Sequence, residues 1–220
     1  MKLEVEALLQ FINREDAGRR LGAALSHLTG EHPVVLGLPR GGVVVAAEVA
    51  KALEAPLDLI VVRKLGVPGH EELAMGALAE GGTMVLNDDL VRRLGIGRSD
   101  LDAVRLREEA EMARRLAAFR GDRPALDLAN RTVIVVDDGI ATGSTARAAL
   151  EDVRRRRAAR VVLAVPVGAA ESLASMETAA DEVVSLLRPT ELWAVGQWYR
   201  DFSQTSDHEV VALLDQSATR

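Results

Sequence analysis

The chain contains no cysteine, which excludes disulfides, thiolate nucleophiles and cysteine-built zinc sites together. Aromatic residues are scarce, with two tryptophans, one tyrosine and three phenylalanines in 220 residues, so a cluster of them implies stacking or the filling of a specific volume. Lysine occurs only at Lys2, Lys51 and Lys64, and the other basic residues are arginine. With a net charge of −6, the chain has no surplus for the basic stripe that a general nucleic-acid surface requires, and no nucleic-acid partner is expected. No apolar run reaches membrane length, and Glu4 and Glu6 fall where a secretory signal needs an unbroken apolar segment. The expectation is a cytoplasmic protein without a membrane partner, long enough to bury a full core in one domain spanning 1–220.

What is present centres on residues 132 to 150, TVIVVDDGIATGSTARAAL. The first five are apolar or β-branched, the pattern of a strand buried on both faces of a parallel sheet. Asp137 and Asp138 follow, then a turn rich in glycine and hydroxyls, then helical spacing through Ala146, Ala149, Leu150 and Val153. Backbone N–H groups at such a helix start lack intrahelical partners and sit at the positive end of the helix dipole, which suits phosphate. The loop is not a Walker A sequence: Gly139 and Gly143 enclose three residues, and Ser144 stands where lysine is needed. An ionised Asp only accepts hydrogen bonds, so the acidic pair suits vicinal sugar hydroxyls or a Mg²⁺ accompanying phosphate. A plain capped strand-to-helix connection is the competing reading, but two carboxylates, two glycines and three hydroxyls in nine residues exceed what a cap requires.

VIVVDDGIATGST resembles the signature of type I phosphoribosyltransferases, which bind 5-phosphoribosyl-1-pyrophosphate (PRPP). The resemblance implies that Asp137 and Asp138 hold the ribose hydroxyls, with an indirect role toward Mg²⁺, and that Ala141, Thr142, Gly143, Ser144 and Thr145 hold the 5-phosphate. A second glycine loop, Pro39-Arg40-Gly41-Gly42, joins a predicted strand at 34–38 to a predicted helix at 43–53. In the resembling family this loop takes the pyrophosphate, largely with backbone N–H groups, and Arg40 adds a planar charged fork; a plain turn with a solvated arginine is the alternative. Residues 57–62, LDLIVV, read as a third strand ending at Arg63 and Lys64, which the resemblance makes candidates for pyrophosphate contact and catalysis. The glycine-rich stretch beyond them reads as a long connection holding one amphipathic piece at 71–78. Its family counterpart is a loop that closes over PRPP. His70, Glu71 and Glu72 read as exposed residues rather than catalytic ones.

Residues 14–29 read as a packing helix with a solvated charged face. A short strand at 83–86 and a short helix at 87–94 precede a charged helix at 99–119, where Ser99 with Asp102 resembles a capping box. Covering the sheet and meeting a second subunit as a homodimer are both open for that long helix. Strands at 160–167 and 181–187, separated by a helix at 169–179, complete a βα alternation. It predicts an α/β fold: a doubly wound, mostly parallel sheet with helices on both faces and ligands beyond the carboxyl ends of the strands. Residues 188–220 are expected to form a small hood over the base. Here the tail resembles purine phosphoribosyltransferases, which places Trp193 as the stacking residue, Gly196 at the step and Asp201 as the acidic residue. Trp198, Tyr199 and Arg200 depart from that pattern, and core packing of Trp193 and Trp198 is the alternative.

The function implied is transfer of the phosphoribosyl group from PRPP, with Mg²⁺, to a nitrogen acceptor such as a purine base, as in nucleotide salvage. A PRPP-sensing regulator on the same fold is the alternative.

Overall fold

The computed structural model describes residues 10–218. Strands β1 (Val34–Gly37), β2 (Leu57–Leu59), β6 (Thr132–Val136), β7 (Arg160–Val167) and β8 (Glu182–Leu187) pair in parallel in the order β2-β1-β6-β7-β8. Every residue of β1, β2 and β6 is buried, which is why these segments, Asp58 and Thr132 aside, are apolar without alternation. Alternate side chains still separate the two faces. Val35, Ile134, Val136 and Val162 share a cluster with Leu21 and Val49, from helices α1 (Arg14–Ala24) and α2 (Gly41–Ala52). Leu36, Val133, Val135 and Leu163 face Leu150 and Leu173, from α5 (Ser144–Arg155) and α6 (Ala170–Met176). Each fully buried Val or Leu contributes about 1.5–3 kcal/mol relative to exposure, so the central strands are the most firmly held part of the chain. The expected doubly wound sheet with helices on both faces is present.

The structure corrects the reading of residues 57–87. The run 57–62 is not one strand: pairing with β1 ends at Leu59, and Val62 begins β3 (Val62–Val67) in a separate antiparallel sheet with β4 (His70–Ala79) and β5 (Met84–Leu86). The glycines taken for a loose connection are required by this sheet. A Cβ on Gly66 would fall 2.8 Å from Glu71 Cα, and one on Gly76 would collide with Val85 O on the neighbouring strand. Gly69 and Gly82 take positive φ at the two turns. The inner residues Leu65, Met75 and Leu78 join the same buried cluster as Ile134 and Val136. They tie the small sheet to the main core.

Beyond it come α3 (Asp88–Arg93), capped by the Asn87 side chain, and α4 (Arg98–Arg120). The expected Ser99–Asp102 capping box is not formed: Gly97 is the N-cap, and its N–H donates to Asp100 Oδ2 at 3.3 Å. A glycine at this position lets the chain enter the helix two residues earlier than the hydroxyl pattern suggests.

The tail divides. Phe11, Trp198 and Tyr199 form a small cluster with Val167 beside the carboxyl edge of the main sheet. Residues 207–218, expected within the hood, instead form helix α7 (Asp207–Ala218), which packs against α2, α4 and β2. Val210 and Leu214 are buried there, with Val211 and Leu213 packed half-buried beside them. Among the described residues no helix is long and apolar enough to cross a membrane.

Candidate functional site

Parallel strands place their following loops on one edge, so the two glycine loops meet beyond β1 and β6. The first begins where Leu38 N donates to Val136 O at 2.8 Å and passes through a cis peptide at Pro39–Arg40 into α2. Its glycines lie directly on the acidic pair. A Cβ on Gly42 would come within 2.9 Å of Asp137 Cα, and one on Gly41 would collide with Asp138 Oδ2 and lie 2.6 Å from Arg14 Nε. Only a residue without a side chain lets backbone and carboxylates approach so closely.

The acidic pair is asymmetric. Asp137 Oδ1 accepts the Asp138 N–H at 2.9 Å; burial, then the adjacent Asp138 charge, raise its pKa well above the ordinary carboxylate range. Asp138 Oδ2 accepts from Arg14 Nε at 2.8 Å, and its carbonyl accepts from Tyr199 Oη at 2.6 Å. Burial, followed by the Asp138 charge, pushes the Tyr199 phenol upward, so it stays a donor across the working pH range.

On the other side of the pair, Ile140 bridges to Gly168, and Gly143 takes φ +80° as the residue before α5. Ala141 and Thr142 are exposed, and Ser144 and Thr145 are half-buried. Thr142, Gly143, Ser144 and Arg147 line a cavity of about 400 Å³ whose opposite wall is the small sheet, including Ala77 and Leu86. A larger cavity of about 590 Å³ lies far from this chemistry, between α2, α7 and the start of β2.

The remaining expected residues are dispersed. Arg40 pairs with Asp207 at the start of α7 at 3.5 Å. Arg63 donates through Nε and Nη2 to Glu108 Oε2 at 3.0 and 2.7 Å, and Lys64 is exposed on β3 opposite Ala77; neither is bonded to the acidic pair among the described residues. Trp193 is 85% exposed and Trp198 8%, so only Trp198 packs in the core. Asp201 is exposed, and its carboxyl is held below the usual range by the N–H of Ser203, which donates to Oδ1 at 2.9 Å. Arg14, Arg147 and Tyr199 were not singled out by the sequence. Arg14 belongs to a helix whose charges read as solvated, Arg147 lies among the alanines after the motif, and Tyr199 registered only as a departure from pattern.

Among the described residues no group of three or more His, Cys, Asp or Glu is arranged to hold a metal ion. The acidic pair alone supplies too few oxygens for a resident Mg²⁺, which takes six ligands. It fits a Mg²⁺ that arrives with substrate phosphates and keeps most of its water.

A family model described as phosphoribosyl transferase domain matches residues 4–199. The Mycobacterium tuberculosis protein Rv0571c, named provisionally as a phosphoribosyl transferase, is 53% identical over 207 residues, covering 94% of this chain and 47% of that protein. The chain therefore spans about half the length of this curated relative. The crystal structure of TT1426 from Thermus thermophilus is 43% identical, with a TM-score of 0.82, and the match covers 94% of this chain and 98% of that one.

Proposed function

This chain belongs to the phosphoribosyl transferase domain family, and on that premise we propose that it transfers the 5-phosphoribosyl group of PRPP to a nitrogen of a nucleobase-like acceptor, releasing pyrophosphate. The observation that carries the reading is the packing of Gly41 and Gly42 backbone against Asp137 and Asp138, with the hydroxyl loop of α5 on the other side. A sugar held by the acidic pair would extend its 5-phosphate toward Thr142–Thr145 and its C1 pyrophosphate toward the N–H groups at the start of α2. Mg²⁺ bound to the pyrophosphate supplies charge neutralisation for the leaving group. Asp137 and Asp138 accept from the ribose hydroxyls and place negative potential beneath a sugar that becomes oxocarbenium-like as the C1–O bond breaks. The acceptor nitrogen then bonds to C1 from the opposite face and loses its proton, so the configuration inverts. The exposed face of Trp193 supports a planar acceptor, with a purine favoured by the likeness of the tail.

The test is pyrophosphate release on incubation with PRPP, Mg²⁺ and a panel of bases. Release that depends on one base, and that is abolished in Asp138→Asn, is expected. Tight PRPP binding with no base-dependent release would replace transfer with PRPP sensing. Unchanged PRPP affinity in a folded Asp138→Asn variant would refute the ribose assignment.

A further inference from the structure

Arg14 is the least expected residue at this edge. It begins α1, in a stretch whose charges read as solvated, yet its side chain is only 11% exposed. Nε donates to Asp138 Oδ2 at 2.8 Å, Nη1 donates to the carbonyl of Ser203 at 2.8 Å, and the guanidinium carbon lies 3.8 Å from the centre of the Phe202 ring. One planar group thus reaches a carboxylate, a backbone carbonyl and an aromatic face, a combination that lysine cannot make. The segments carrying these partners are themselves joined. Phe11 N donates to Trp198 O, Arg200 N to Phe11 O and Asp201 N to Ile12 O, each at 2.9 Å, while Tyr199 reaches the Asp138 carbonyl. Gly41 lies against the Arg14–Asp138 contact on its remaining side.

We propose that Arg14 is a positioning residue for the acidic pair: it holds Asp138 by Oδ2, fixes that carboxylate for substrate, and couples it to the tail at residues 199–203. The inference rests on the phosphoribosyl reading above, since it assumes that the pair receives the ribose. Its physical content is geometric. A carboxylate at the end of a strand is free to rotate about χ2, and a fixed guanidinium removes that freedom before substrate arrives. Arg14 touches no reacting atom in this scheme and acts through Asp138.

Calorimetric PRPP affinity in the presence of Mg²⁺ tests this with the parent chain, Arg14→Gln, Arg14→Lys, Asp138→Asn and the double variant Arg14→Gln/Asp138→Asn. Arg14→Gln is expected to weaken binding by about ten- to a hundredfold, the worth of one charge-assisted hydrogen bond. Arg14→Lys restores only part of this loss. In the Asp138→Asn background the same Arg14→Gln change has little further effect, because the contact through which it acts is already altered. A purely structural arginine would cost the same factor in both backgrounds, and that result would overturn the proposal. Full rescue by Arg14→Lys, which keeps charge without the fork, would overturn it as well. If Arg14→Gln does not fold, the comparison of Arg14→Lys with and without Asp138→Asn decides by the same criterion. A parent chain that binds no PRPP would remove the phosphoribosyl reading itself, an outcome distinct from a parent that binds while Arg14→Gln binds equally well.

Discussion

Replacing Gly41 with alanine is the smallest change that reaches the centre of the site. The glycine does not have positive φ, so the substitution brings no backbone strain, and its effect is steric alone. The added Cβ would lie 2.8 Å from Asp138 Cγ, 2.6 Å from Arg14 Nε, and closer still to Asp138 Oδ2. Ordinary contact begins near 3.4 Å, so Asp138 and Arg14 must each withdraw by more than half an ångström. They cannot withdraw together without stretching their own 2.8 Å bond or lifting the tail at Ser203 and Phe202. Overpacking of this kind costs about 1–3 kcal/mol, which lowers the melting temperature by roughly 2–4 °C for each kcal/mol in a chain of this size. Displacement of the carboxylate by about 1 Å costs roughly a hundredfold in turnover. Gly30→Ala is the control, since nothing lies within 4 Å of a Cβ there. Thermal melts of both variants, followed by pyrophosphate-release assays, provide the measurement. Wild-type stability and activity in Gly41→Ala would show that the loop and the acidic pair are not packed as described.

Three other substitutions separate stability from function. Burial and the Asp138 charge raise the Asp137 pKa above an unfolded value of about 3.9, so the stability from this group is present below that pH and lost as pH rises through the folded value. Asp137→Asn, which remains neutral, should therefore melt higher than the parent at pH 8, with the difference shrinking toward pH 4, while PRPP affinity falls; equal melting at pH 8 would contradict the assigned burial. Trp198→Ala removes a packed core ring and should cost about 3–5 kcal/mol. Trp193→Ala, at 85% exposure, should change stability by less than about 0.5 kcal/mol and raise the KM for the acceptor. Denaturant unfolding paired with acceptor titration distinguishes them, and an unchanged acceptor KM would remove Trp193 from the site.

The main sheet was legible because its central strands are buried on both faces and run through unbroken apolar stretches, as at residues 133–136. The meeting of the two loops was legible because close backbone approach requires glycine, as at Gly41 and Gly42. The small sheet was not, since glycine has two causes, freedom and crowding, and a sequence does not say which applies. Gly66 and Gly76 are glycines because a neighbouring strand fills the space. Arg14 was hidden for another reason: its partners Asp138, Phe202 and Ser203 lie 124 or more positions away, and nothing local distinguishes it from Arg19, whose side chain is 58% exposed on the same helix.

The small sheet forms the wall opposite the loop that opens α5. In β4 the first four residues, His70–Leu73, are exposed, while Met75 and residues 77–79 are buried. The exposure is one-sided, because the partner of His70 on β3 is Val67, which is buried with Leu65 in the main core cluster. The ribbon is therefore pinned along β3 up to its turn, and only the outer edge of β4 is open to solvent. Ala74 and Ala77 of β4, which line the cavity, are thus carried on a strand whose neighbour is anchored in the core through Leu65 and Val67.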